Sequence, residues 1–189
     1  MKLAIVLSPF LLLAAGLFSA DELRFRVKSD PSLIVPGFGS EGVLLGERVE
    51  TLLRDRGRPD RVALTGDAKD LFGEVFGQAS GPAIRFDRIY QYPYGHFAVF
   101  LLGEEVVAVA GYDRVRVTSD AVGIAAGAES FIFNYGNEGL ERLTRRRSVM
   151  YVYRKLGIAV ADDAGDDTID LVLVFTATKG PGAGQGPPR

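Results

Sequence analysis

Apolar and polar positions along this chain change their period several times, and each change marks an element. Leu23, Phe25 and Val27 alternate with Arg24, Arg26 and Lys28, which predicts a leader strand over 21–32, ended by Pro31. Pro36-Gly37-Phe38-Gly39 is a turn. Val49, Leu52 and Leu53 fall at helical spacing and predict a short helix over 47–56. Gly57 stands where its C-cap belongs, and Pro59 follows where a helix has already stopped. Leu71, Phe72, Val75 and Phe76 make a second apolar stripe, predicting a helix over 67–77. Strand-like runs follow over 84–94, 96–102 and 106–117, with Gly95 and Gly103-Glu104 as turns. The pattern then starts again. A helix is expected over 129–135, a basic connector over 142–147, and strands over 149–154, 158–161 and 168–176. The tail from Lys179 to Arg189 is Gly, Pro and Gln without an apolar anchor, so disorder is expected there.

This recurrence is the main clue to architecture. Gly42 maps onto Gly123 and Gly46 onto Gly127 at one offset (123 − 42 = 127 − 46 = 81). The expected division is therefore residues 1–20 as an export signal, 21–39 as leader strand and turn, 40–117 as unit one, 118–178 as unit two, and the tail. Each unit reads as helices followed by a three-stranded antiparallel meander. Neither could bury its apolar side alone. The expected fold class is α+β: two tandem helix-plus-meander units, with helices packed on one face of the sheet or sheets and the other face left open.

The N-terminus changes the setting. Met1-Lys2, the apolar run from Leu3 to Phe18 and the small residues Ser19-Ala20 form the layout of a secretory signal, with cleavage expected after Ala20 or, as the alternative, after Gly16. The run is too short for a bilayer span, so no transmembrane segment is expected. The chain has no cysteine, which excludes disulfides, thiolate metal sites and a lipid-bearing cysteine after the signal. Once Lys2 is removed, 21 basic residues face 24 acidic ones, a mildly acidic balance that gives no reason to expect nucleic-acid binding. Periplasmic or extracellular residence follows as the expectation.

Gly46, Val49, Leu53, Gly57 and Pro59 in the first helical region, with Tyr92, Val99, Phe100, Gly103, Val107 and Val109 in the strands, resemble a known group. They are similar to the small outer-membrane assembly lipoproteins of the SmpA/OmlA (BamE) type and to the tandem-repeat β-lactamase-inhibitor proteins. The resemblance implies a helix pair packed on an antiparallel sheet, occurring twice in the inhibitor proteins. Unit two departs from it: Ser130 stands where Val49 does, and no proline follows Gly136.

Candidate chemistry is sparse. Tyr90, Tyr92 and Tyr94 alternate, as do Tyr151 and Tyr153, so each set shares one face of a strand. One reading makes them an aromatic platform for a partner, extended by His96, Phe97 and Val99; the other makes them core under the helices. Arg142, Arg145, Arg146 and Arg147 are the candidate contact for a membrane surface or acidic partner, against the alternative of a solvated connector. Asp162, Asp163, Asp166, Asp167 and Asp170 crowd one loop, but without the spacing of a calcium loop, so a solvated hairpin tip is expected and no metal is assigned. His96 is the only histidine, and no nucleophile motif is present. The sequence reads as that of a non-catalytic protein without a cofactor, binding another protein. Alternatives are an envelope-structural accessory that braces outer-membrane components and a carrier of a small ligand.

Overall fold

The computed structural model describes residues 18–64, 84–92, 94, 96–112, 117–118, 126–145, 147–162 and 164–177. The segment before Phe18, expected as most of the export signal, the expected helix over 67–77 and the tail therefore lie outside the described residues.

Three helices are described: α1 (Ala20–Ser29), α2 (Val49–Arg56) and α3 (Ala128–Tyr135). The leader expected as a strand is thus a helix. Its alternating apolar residues are outweighed by end signals: the Ser19 hydroxyl accepts from the Glu22 N–H, Asp21 and Glu22 occupy the first turn, and Arg26 and Lys28 the last. Leu23 and Val27 then fall four apart on one face, and Val27 is fully buried against Leu33 and Val35.

Twelve strands follow in chain order: β1 (Leu33–Ile34), β2 (Gly39–Ser40), β3 (Val43–Leu44), β4 (Arg61–Leu64), β5 (Arg88–Tyr92), β6 (Phe97–Leu102), β7 (Glu105–Gly111), β8 (Val117–Thr118), β9 (Leu140–Arg145), β10 (Ser148–Tyr153), β11 (Ile158–Asp162) and β12 (Leu171–Phe175). Eight of them make one antiparallel sheet in the order β4-β5-β6-β7-β12-β11-β10-β9. β1 pairs with β8 in parallel, and β2 with β3 as a hairpin. The α+β class holds. Each expected three-stranded meander has four strands, because β4 and β9 add to them. The stretch 142–147, expected as a connector, is mostly strand β9 and its turn.

The two halves of the sheet follow matching courses. Before each helix an isolated bridge ties the chain to the last part of its own meander, Arg48 to Glu105 and Gly127 to Thr168. Both helices end on a glycine in the left-handed region, Gly57 at φ 77° and Gly136 at φ 76°. The helix correspondence is therefore 79 residues (127 − 48 = 136 − 57), not the 81 read from Gly46 and Gly127. In the strands it falls to 61 (153 − 92 = 158 − 97), because residues 65–87 join β4 to β5 where a tight turn joins β9 to β10. At the seam β7 meets β12 antiparallel, with Ala110 opposite Leu173 and Val109 opposite Val174.

Period-two alternation sorts the core into two layers. Tyr90, Tyr92, Phe97, Val99 and Val109 pack under Val49 and Leu52 of α2. Tyr151, Tyr153, Ile158, Val160 and Val174 pack under Ala128 and Phe131 of α3. The opposite side carries Phe100, Met150, Val152, Leu173 and Phe175 around five alanines, Ala98, Ala108, Ala110, Ala159 and Ala161, all buried. Phe86 meets the edge of Phe100 there at 5.1 Å between ring centroids. The sheet face expected to be open is buried as well.

Candidate functional site

Four of the five candidate tyrosines are core. Tyr90, Tyr92, Tyr151 and Tyr153 are 9%, 6%, 8% and 2% exposed, and Phe97 and Val99 are buried beside them. The platform reading is corrected on this point, since a ring covered by a helix cannot meet a partner. The two inner tyrosines instead latch the helices. The Tyr92 hydroxyl donates to the Gly57 carbonyl at 3.3 Å, and the Tyr153 hydroxyl donates to the Gly136 carbonyl. Helix ends leave carbonyls without partners, and each tyrosine supplies a donor to the C-cap residue. Stacking on Phe97 at 4.7 Å holds the Tyr92 ring, and Phe131 meets Tyr153 edge-on at 5.3 Å. Burial pushes the Tyr92 phenol up to about 12 and raises that of Tyr153 in the same direction.

Tyr94 and His96 stand apart, in the β5–β6 turn. Tyr94 is 90% exposed, and His96 is exposed with φ 54°, the left-handed conformation of a turn residue. They remain available to a partner.

Of the basic run, the described side chains are those of Arg142 and Arg147. Arg142 projects from β9 with its guanidinium 5.7 Å from the Tyr151 ring centroid, a cation–π contact. Arg147 is exposed in the β9–β10 turn, and its carbonyl oxygen lies against Gly165, where an added Cβ would sit 2.6 Å away. Arg145 ends β9, and Arg146 lies outside the described residues. The turn thus packs against the acidic loop of the same chain.

That loop is organised around Asp162, which is buried at 4% exposure. Its carboxylate accepts the backbone N–H groups of Gly165 at 2.6 Å, Asp166 at 3.2 Å and Asp167 at 2.9 Å. Both oxygens are engaged in closing the loop rather than presented to a cation. Asp163 lies outside the described residues, and among the described ones no group of three carboxylate or histidine side chains gathers at metal distance.

Two carboxylates that the sequence did not single out are buried in the segment leading to α2. Glu41 and Gly42, at φ 56° and 66°, form the two-residue turn of the β2–β3 hairpin. Glu41 is 2% exposed, and its Oε1 occupies the space that a side chain at Gly111 would need. Its charge adds to burial in raising the Tyr112 phenol. Glu47 bonds Lys28 at 2.7 Å with one oxygen and the Leu44 N–H at 3.0 Å with the other, and Lys28 also reaches Asp55 at 3.0 Å. This ion pair fastens α1 to the start of α2. A glutamate beside a turn glycine was the available signal for Glu41; nothing local marked Glu47.

The two outer edges of the sheet differ. On β9, Glu141 takes both of its oxygens to Arg154 Nε, at 2.7 and 2.9 Å, and Arg142 covers Tyr151. On β4, Val62 lies opposite Tyr90 as Arg142 lies opposite Tyr151, and Val62 and Leu64 are 55% and 56% exposed.

No protein-family profile matches the chain, and no curated protein does. Two solved structures are similar. The uncharacterized protein yfeY from Escherichia coli has a TM-score of 0.47 and 9% identity, over 75% of this chain and 98% of that one. An extracellular protein containing an SCP domain from Bacillus anthracis has a TM-score of 0.43 and 11% identity, over 69% of this chain; this chain spans 43% of that protein's length. At these scores the likeness carries no argument about function. No described helix is long and apolar enough to cross a membrane.

Proposed function

We propose that the chain is an exported, non-catalytic protein-binding module built from two related helix-plus-meander units. The duplicated latch of Tyr92 on Gly57 and Tyr153 on Gly136 supports the relation between units. One observation carries the binding reading: both faces of the central sheet are filled, while strand β4 at its edge exposes Val62 and Leu64. Large apolar side chains two positions apart on an edge that, among the described residues, has no outer partner mark a contact surface. The turn bearing Tyr94 and His96 follows β5, the strand paired with β4, and supplies an exposed aromatic of the kind that anchors interfaces.

Export rests on the signal-like N-terminus, and the tandem arrangement suits the resemblance to inhibitor proteins. Photo-crosslinking of the mature chain in its native envelope or medium tests the reading, with the photoreactive residue at position 94 or 62. The expected result is one saturable protein adduct, lost when unlabelled chain competes. An absence of any competed adduct at either position would contradict it.

A further inference from the structure

We infer that β4 receives an extended acidic segment of the partner as a ninth strand of the sheet. The inference rests on the protein-binding reading and adds the mode of contact and the partner's chemistry.

The argument begins with a control inside the molecule. β4 and β9 close the two ends of one sheet, each following its helix and preceding its aromatic strand. Unpaired edges template unwanted pairing, and proteins blunt them with charge. β9 is blunted, since Glu141 and Arg142 sit in it and both are engaged within the chain. β4 is not. Among the described residues no strand pairs with its outer side, and Val62 and Leu64 lie bare on one face of it. Related edges under the same hazard, one of them less protected, point to use of that one.

Charge then selects the partner. Arg58 and Arg61 lie exposed at the entry to β4, and among the described residues neither has a carboxylate within salt-bridge distance. Two nearby arginines differ: Arg54 is paired with Asp55, and Arg88 with Asp87 and Glu104. An added strand takes its affinity from main-chain hydrogen bonds and its register from alternate side chains. Apolar residues of the incoming strand would meet Val62 and Leu64, and acidic ones Arg58 and Arg61. Steering by unpaired arginines favours acidic over basic segments.

The test uses a fluorescent octapeptide of alternating acidic residues and valine, read by anisotropy and by hydrogen exchange at 61–64. Saturable binding that protects those amides is expected. Arg58→Glu with Arg61→Glu should weaken it about tenfold or more. The same peptide N-methylated at alternate amides should not bind, a comparison made on the unmodified protein and so independent of any variant's folding. Equal binding of the N-methylated peptide or of a lysine-for-acid version overturns the inference, and so does no binding at all. Protection of 61–64 by self-association alone, with a concentration-dependent dimer, overturns it in favour of a second copy. A crosslinked partner retained equally by the double arginine variant sinks the strand mode and leaves the binding reading standing; absence of any adduct sinks the reading itself.

Discussion

Tyr153 shows how one side chain can be legible in kind and misread in place. Its alternation with Tyr151 correctly put both on one strand face, but alternation cannot tell which face a helix will cover. Burial at 2% exposure and the bond to Gly136 decide it. Tyr153→Phe should cost about 1 kcal/mol, the usual worth of one hydrogen bond, and Tyr153→Ala about 3–5 kcal/mol from the lost ring. Denaturant titration of both variants checks this; a stability unchanged by Tyr153→Ala would restore the ring to the surface. Tyr92 adds a pH signature. Its folded phenol is raised to about 12 while the unfolded one ionises near the ordinary 10, so the folded state holds its proton longer. That contribution is complete below pH 10 and is lost as pH rises towards 12. Stability measured from pH 9 to 12 should fall, and Tyr92→Phe should flatten part of the slope; an identical slope in the variant would refute the assignment.

At the scale of elements, local signals sufficed where end chemistry and period agreed. Val49, Leu52 and Gly57 set α2, and Gly136 ends α3 as Gly57 ends α2. They failed where two patterns competed. In Leu23–Lys28 the period of two coincided with a capped, dipole-matched helix, and the cap prevailed. β9 was hidden because its arginines suggested a solvated connector, whereas an edge strand tolerates charge on its open side. The cap also bears on processing. Cleavage after Ala20 would remove Ser19, and with it about 1 kcal/mol of helix capping; it would also remove Phe18, whose ring lies 4.9 Å from the Arg26 guanidinium carbon. Cleavage after Gly16 keeps both. If the N-terminal segment is cleaved as an export signal, intact mass distinguishes a start at Leu17, which keeps the cap, from a start at Asp21, which would show that α1 forms without it.

For the whole molecule, the α+β class was legible, because it follows from pattern and length. The joining of the halves was not. Which strands meet at the seam depends on pairs far apart in sequence, and Ala108, Ala110 and Leu173 carry no local mark of that contact. The long β4–β5 connection also makes the offset between the halves unequal, 79 residues at the helices and 61 in the strands. The resulting picture is one sheet of described strands joined through β7 and β12, with the hydrophobic bulk of its two halves shared. Cross-strand nuclear Overhauser contacts test this most directly. Contacts linking Val109 with Val174 and Ala110 with Leu173, with slow exchange of the seam amides, are the predicted result. Their absence, with the two halves exchanging as independent units, would contradict the shared sheet.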